Sequence, residues 1–311
     1  MHMMSRAIDL LEVGPRDGLQ MEPQVVSTRI KIALIERLLQ AGVRRIEVAS
    51  FVNPSKVPQM ADAESLLAQL QRPDGVYFTG LVLNRRGLER ALGAGCNEIG
   101  MVVAASDSFN RRNQGVGTQD SIAAWLQIAA AARAAGVRAQ VTLSTSFGCP
   151  FEGEVPIEHV LEIAQRLAGA DPYELCFADT IGVAVPAQVS ELLARFHALA
   201  PEMRLRCHFH NTRNTGLANA WAAVNAGVQT LDASVGGIGG CPFAPAATGN
   251  IASEDLIYLL ERSGVNTGVS LSGLIETARW LQAQLGHGVP SMLSKAGPFP
   301  SAAPSPTDAV H

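Results

Sequence analysis

Lysine is nearly missing from this chain. Of 311 residues only Lys31, Lys56 and Lys295 carry it. A Schiff-base aldolase needs a lysine at the reacting centre. Lys31 falls in an expected helix and Lys295 near the tail, so only Lys56 sits in a loop on the expected active face. Cysteine is sparse too. Cys96, Cys149, Cys176, Cys207 and Cys241 form an odd, scattered set without metal-type pairing, which fits reduced thiols better than a disulfide frame. No apolar run reaches the ~18 residues of a membrane span. The stretch from Met1 to Arg6 lacks the apolar core of a signal peptide. A cytoplasmic protein with no membrane partner is therefore expected. An excess of positive charge is also missing: the net charge is -4, which leaves no electrostatic footprint for nucleic acid.

What the chain has is apolar material, 47% of it, arranged in alternation. Strand-like runs at 8–13, 45–49, 76–83, 97–103, 138–145, 173–178, 204–210 and 228–234 alternate with helix-like runs at 28–41, 60–70, 86–92, 120–135, 157–168, 187–199, 216–226 and 254–261. Eight such units predict a parallel (β/α)8 TIM barrel, an α/β fold with buried strands and helices outside. Glycines at Gly42, Gly95, Gly136 and Gly227 follow expected helices, where a left-handed cap belongs. A doubly wound sheet would carry a G-x-G-x-x-G turn after its first strand, and Gly14-Pro15-Arg16-Asp17-Gly18 is not one. A further amphipathic run at 270–285 extends the barrel with a short helical piece. The expected division is a catalytic barrel over 1–285 and a Pro/Ala/Ser-rich, loosely ordered tail over 286–311.

Chemistry collects where the strands end, which is where barrel active sites lie. In Leu205-Arg206-Cys207-His208-Phe209-His210-Asn211 the period of two puts His208 and His210 on one strand face. Two imidazoles so placed can share a cation. Asp17, with Asn250 as a further oxygen donor, would complete a mixed O/N site for Mg²⁺, Mn²⁺, Co²⁺ or Zn²⁺. The plainer alternatives are Asp17 as a turn cap, Asn250 as a turn residue and Asp179 as a loop cap. Arg16 can polarise a carbonyl and hold an enolate, or pair with Glu47, or both. Gln20, Ser50 and Ser106 stand on the same rim. So does the stretch Gly236-Gly237-Ile238-Gly239-Gly240-Cys241-Pro242, whose thiol could carry a proton to a carbanion.

The motif Val13-Gly14-Pro15-Arg16-Asp17-Gly18-Leu19-Gln20 resembles that of the 3-hydroxy-3-methylglutaryl-CoA lyase family of metal-dependent TIM barrels. So do Ser50-Phe51-Val52 with Val57-Pro58-Gln59-Met60, Asp179-Thr180-Ile181-Gly182 and Gly239-Gly240-Cys241-Pro242-Phe243. The likeness runs from about residue 8 to residue 285. It implies retro-Claisen cleavage of a 3-hydroxyacyl-CoA to acetyl-CoA and a keto acid, with acetoacetate from the 3-hydroxy-3-methylglutaryl thioester, and so a place in leucine degradation and ketone-body formation. It implies a divalent metal, Mg²⁺ or Mn²⁺ first, held by Asp17, His208, His210 and Asn250 and chelated by the substrate. Arg16 would stabilise the enolate. Cys241 and Glu254 match residues linked to catalysis, and Asp179 and Glu47 match acidic residues that support proton transfer and orientation. Ser106 and Asn113 are CoA-contact candidates from barrel position and resemblance, and a homo-oligomer, dimer or tetramer, is expected. The sequence departs from the family pattern at Met21-Glu22-Pro23, often Asn-Glu-Lys, and at Asn211-Thr212-Arg213, usually Asp-Thr-Tyr. Citramalyl-CoA or another branched 3-hydroxyacyl-CoA is the alternative substrate, a sister aldolase or condensing enzyme the alternative activity, and a barrel that only binds CoA or metal the non-enzymatic reading.

Overall fold

The computed structural model describes residues 7–240 and 249–300. Its first half runs β1 (Asp9–Glu12), α1 (Thr28–Gln40), β2 (Arg45–Ser50), α2 (Ala63–Gln69), β3 (Tyr77–Leu81), α3 (Arg85–Gly93), β4 (Glu98–Ala104), α4 (Asp107–Gln114) and α5 (Thr118–Ala134). The second half runs β5 (Arg138–Ser144), α6 (Ile157–Ala168), β6 (Glu174–Asp179), α7 (Pro186–Leu199), β7 (Leu205–Phe209), α8 (Gly216–Asn225), β8 (Thr230–Ala233), α9 (Ser253–Arg262), α10 (Leu271–Leu285) and α11 (Leu293–Ala296). The strands close a barrel in sequence order, and β1 pairs with β8 in parallel. The expected TIM barrel is therefore the fold, with α10 and α11 as its C-terminal extension.

Outward-facing Ile46, Val48, Ile99, Val141, Leu143, Leu175, Phe177, Leu205 and Leu231 are buried against the helices, and this is where the main apolar core lies. Burying side chains of this size contributes roughly 1.5–3 kcal/mol each before the entropy of ordering is subtracted. The barrel interior is different. Residues in register share a sheet face, and the ladder carries Gln140 beside Glu174, Ala178 beside His208 and Arg206 beside Thr230. Bulky aliphatic residues usually fill such interiors. Here Arg45 Nη2 donates to Glu174 Oε1 (2.7 Å) and Glu98 Oε1 (3.0 Å). Thr79, Gln140 and Thr230 add hydrogen bonds to the same two carboxylates.

Two stretches differ from the sequence reading. Helix α4 was not expected, because only Phe109 and Asn110 of its eight residues are buried and no apolar stripe marks it. Ser106 caps it by accepting from Phe109 N (3.2 Å), and Gly115 ends it in the left-handed region. The packed chain also runs beyond the expected boundary at residue 285. Val289 and Ser291 are buried, and Asp255 accepts backbone N–H bonds from Met292 (3.0 Å) and Leu293 (2.8 Å), seating α11 on α9. Composition alone hides such a segment, since its anchor is a carboxylate on another helix. Residues 301–311 of the expected tail lie outside the described residues. Among those described, no helix is long and apolar enough to cross a membrane.

Candidate active site

The turn after β1 places Arg16 and Asp17. The N–H groups of Arg16, Asp17 and Gly18 all converge on the Val13 carbonyl, at 3.2, 2.7 and 3.3 Å. Proline at the second position of this tight turn fits its fixed φ and missing donor. Asp17, His208 and His210 then come together: one ligand atom from each lies within 4.8 Å of the others. Asn250 joins them because its backbone bridges to His210 and because Ile251 N donates to Phe209 O (3.2 Å). Its amide donates to Asp17 Oδ2 (2.9 Å) and to Ile238 O (3.1 Å). Gly239 makes that approach possible, since a Cβ there would stand 2.5 Å from Asn250 Nδ2.

His210 Nδ1 and Asn250 Oδ1 are buried with no hydrogen-bond partner among the described residues. An orphaned buried polar atom is costly, and two of them, on residues that stand beside Asp17 and His208, fit a site that could take a divalent cation. Burial and the neighbouring His208 ring push His210 down to about 3, so its imidazole is neutral, the form that can ligate a cation. Burial opposes ionisation of Asp17, but Arg16, His208 and the hydrogen bond from Asn250 outweigh it and hold the carboxyl below its ordinary value. Asp17 is thus an anion across the whole working range.

Arg16 bridges this cluster to Glu47. Its Nε donates to Glu47 Oε2 (2.6 Å) and its Nη1 to Asp17 Oδ1 (2.6 Å). An ion pair with Glu47 and a role at a substrate carbonyl are compatible here, because the guanidinium also lines a cavity of about 670 Å³ at the strand ends. Asp17, Gln20, Glu47, Asn113, His208 and His210 line the same cavity, as does Lys56. Ser50 stands just behind, with its hydroxyl 3.3 Å from Gln20 Oε1.

The other sequence candidates stand back from the wall. Asp179 accepts from Val183 N (2.9 Å) and Ala184 N (3.0 Å), holding the loop after β6, and burial raises its pKa. Ser106 caps α4 and contacts Cys149 Sγ at 2.9 Å. Glu254, in the first turn of α9, accepts from Gly236 N at 3.1–3.2 Å; burial pushes it up to about 7. Cys241 lies outside the described residues. Of the departures from the family pattern, Met21 lines the cavity, whereas Arg213 donates to the carbonyls of Ile181 (3.1 Å) and Gly182 (3.0 Å) and Glu22 pairs with His287 (2.8 Å).

Sequence reasoning missed Asp232. Its Oδ2 accepts from His208 Nδ1 (3.1 Å) and from Arg206 Nη1, so it fixes the imidazole and leaves Nε2 as the nitrogen that could meet a cation. A carboxylate behind a ligating histidine is the usual arrangement for holding tautomer and ring orientation. The signal was present: an acidic residue in the short apolar run Thr230-Leu231-Asp232-Ala233 demands a partner.

An eight-stranded barrel with a carboxylate, two imidazoles and an amide gathered around one point defines a candidate metal enzyme of the TIM-barrel class. Comparison with known proteins narrows it. Residues 7–281 match the HMGL-like family model. The chain is 46% identical to the (R)-citramalyl-CoA lyase of Chloroflexus aurantiacus, covering 94% of this chain and 95% of that protein. It is 41% identical to a hydroxymethylglutaryl-CoA lyase of Bacillus subtilis, over 92% and 96% of the two chains. The structure of an HMG-CoA lyase from Acinetobacter baumannii in complex with coenzyme A and 3-methylmalate superposes with a TM-score of 0.92 at 39% identity, covering 98% of this chain and all of that one. The chain belongs to the HMGL-like family, that of the hydroxymethylglutaryl-CoA lyases.

Proposed function

We propose that this protein is a divalent-metal-dependent carbon–carbon lyase that cleaves 3-hydroxy-3-methylglutaryl-CoA to acetyl-CoA and acetoacetate, a step of leucine degradation and ketone-body formation. The observation that carries the reading is the Asp17–His208–His210 cluster, with His210 Nδ1 and Asn250 Oδ1 unfilled beside it and Arg16 at its edge. Asp17, His208, His210 and Asn250 would hold the cation, Mg²⁺ or Mn²⁺ suiting the oxygen donors and Co²⁺ or Zn²⁺ the imidazoles. When bound, that cation would supply Lewis acidity that makes the tertiary hydroxyl of the substrate easier to deprotonate, and Glu47, on the cavity wall, is the carboxylate we assign to taking that proton.

The chain's own residues do the rest. As the bond between C2 and C3 breaks, negative charge builds on the thioester oxygen. Arg16, a permanent cation locked in place by Glu47, stabilises that enolate. Protonation of C2 then gives acetyl-CoA, and Cys241 is the proton donor we assign to this step. Gln20 and Asn113, both on the cavity wall, are assigned to substrate binding, with Ser50 supporting Gln20 from behind. Asp179, Ser106 and Glu254 are assigned to holding the surrounding loops. A close second reading, cleavage of citramalyl-CoA to acetyl-CoA and pyruvate, is favoured by the 46% identity to the Chloroflexus enzyme. It keeps the same site and mechanism with an acid one methylene shorter.

The test is acetyl-CoA release from purified protein with Mg²⁺ or Mn²⁺, on both thioesters, with an EDTA control. Metal-dependent cleavage of the first supports the proposal; cleavage of the second alone moves the assignment to the shorter acid. Turnover that survives complete metal removal overturns both.

A further inference from the structure

One buried carboxylate outside the cavity wall touches three of the segments from which the site is built. Glu12, the last residue of β1, is fully buried. Its Oε1 accepts from Gly14 N (2.8 Å) and Val235 N (2.9 Å), and its Oε2 accepts from Ser253 Oγ. Gly14 opens the turn that carries Arg16 and Asp17. Val235 begins the short 3-10 turn Val235–Gly237 that leads into the glycine-rich stretch. Ser253 starts α9, three residues after Asn250. The three donors are 2, 223 and 241 positions away in the chain. A Cβ on Gly14 would stand 2.7 Å from Glu12 Oε1, so the turn sits as close to this oxygen as a backbone can.

We propose that Glu12 is a positioning residue for the candidate active site, one whose single side chain sets the spacing between the Arg16–Asp17 turn, the root of the glycine stretch and the Asn250 segment. This rests on the reading of the Asp17–His208–His210 cluster as the metal site. The physical argument is geometric. Asp17 and Asn250 contact each other at 2.9 Å from opposite sides of the barrel seam, β1 on one side and the segment after β8 on the other. The ladder between β1 and β8 ends at Glu12 and Ala233, before either residue is reached. Beyond it the backbone ties are scattered ones: Val13 N donates to Ala233 O (2.9 Å), Ser234 bridges to Ala252, and Asn250 bridges to His210. Glu12 adds two side-chain bonds across the seam, accepting from Val235 N (2.9 Å) and Ser253 Oγ, while its bond from Gly14 N holds the turn on its own side. Burial raises the side chain to about 7, against the opposing pull of its three donors, so near neutrality it is readily held in either state. Oε1 can accept both N–H bonds in each. The demand is therefore for reach and an acceptor oxygen more than for charge.

The experiment compares Glu12→Gln, Glu12→Asp and Glu12→Ala with the unaltered protein. The readouts are Mn²⁺ affinity by calorimetry, kcat and KM for acetyl-CoA release, and amide hydrogen exchange at residues 14–18 and 235–238. Glutamine keeps the doubly accepting oxygen; aspartate keeps the charge but is one methylene short. Glu12→Asp is expected to lose Mn²⁺ affinity by about 10-fold or more, as for residues that orient ligands. Its kcat should fall by about 10²-fold with little change in KM, as for an ångström-scale misplacement, and exchange should rise in both segments. Glu12→Gln is expected to retain most of each. Glu12→Ala, if it folds, should behave like aspartate. A folded Glu12→Asp protein with unaltered Mn²⁺ affinity and kcat overturns the proposal, as does an aspartate variant that outperforms glutamine. Failure of the unaltered protein to bind Mn²⁺ or release acetyl-CoA would instead strike the functional reading itself.

Discussion

The two ends of the barrel interior are both polar and both buried, yet they are built to opposite rules. At the lower end Arg45, Glu98, Glu174 and Arg206 are paired with one another. Arg45 lies 2.7 Å from Glu174 and 3.0 Å from Glu98, and Arg206 Nε lies 3.0 Å from Glu174. At the upper end Asp17, His208, His210 and Asn250 leave His210 Nδ1 and Asn250 Oδ1 without partners among the described residues. Charges at the lower end are neutralised inside the protein. Those at the upper end bring together ligand atoms that could hold a metal ion. Asp232 joins the two, since Arg206 and His208 share its Oδ2. Unpartnered buried atoms are not confined to the upper end, since Arg45 Nε, Gln140 Oε1 and Asp232 Oδ1 also lack hydrogen-bond partners among the described residues; what marks the upper end is a carboxylate and two imidazoles whose ligand atoms lie within 4.8 Å of one another.

The largest break in this contrast comes from the upper end. His208→Ala removes a ligand, and we expect Mn²⁺ binding and acetyl-CoA release both to disappear while the fold persists. EDTA should imitate it in the unaltered protein. Calorimetry with Mn²⁺ checks this, and full metal occupancy in the variant would remove His208 from the ligand set.

Arg45→Ala attacks the lower end. It leaves Glu98 without its cation and Glu174 held by Arg206, both carboxylates fully buried, and breaking such a pair costs about 3–5 kcal/mol. Urea unfolding should show that loss, while kcat per folded molecule stays within about twofold, because Arg45 does not line the cavity. Lost turnover at unchanged stability would mean the two ends are not separate in role.

A pH series reads the same contrast through Glu254. Burial raises its folded pKa to about 7 from an ordinary 4.5. A carboxyl raised in the folded state adds stability that is complete below its unfolded pKa and is lost as pH climbs through the folded one. Stability of the unaltered protein should therefore fall between pH 4.5 and 7 by up to about 3 kcal/mol relative to Glu254→Gln. Thermal melts across that range decide it, and parallel curves for the two proteins would contradict the argument. Asp232→Asn is smaller again. It loosens the His208 ring and should weaken Mn²⁺ binding by about 10- to 100-fold; unchanged affinity would mean the ring is held by packing.

Much of the molecule is legible in its residues alone. The eight apolar runs mark the barrel because buried parallel strands leave a strong local pattern, and His208 and His210 fall on one face because strand period is two. Arg16, Asp17 and Asn250 stand out by where strands end. Three features are not legible, each for a physical reason. Helix α4 is polar around most of its surface, so it has no stripe to read. The pairing of Arg45 with Glu174 spans 129 positions, and sequence shows charge without showing partners. Asp232 is visible as an oddity in an apolar strand, but its meaning depends on Arg206 and His208 arriving from β7. Arg213 is the reverse case. It stands beside the histidines in sequence, where a cation ought to bear on the substrate, but its guanidinium turns to the loop after β6.

That last point yields the finest test of the contrast, because it separates closeness in sequence from closeness in the cavity. Met21 and Arg213 are both departures from the family pattern. Met21 lines the cavity, while Arg213 does not and instead ties down the Ile181 and Gly182 carbonyls. Changing one side chain in an acyl site shifts discrimination between substrates differing by a methylene by roughly 10-fold, more or less with fit. Met21→Asn should therefore move the kcat/KM ratio for 3-hydroxy-3-methylglutaryl-CoA over citramalyl-CoA by that order. Arg213→Tyr should leave the ratio within about twofold and lower stability by less than about 1 kcal/mol, as expected for a surface hydrogen bond. If Arg213→Tyr moves the ratio and Met21→Asn does not, the acyl end of the substrate lies toward the β6 loop, and the cavity wall near Met21 belongs to the CoA arm.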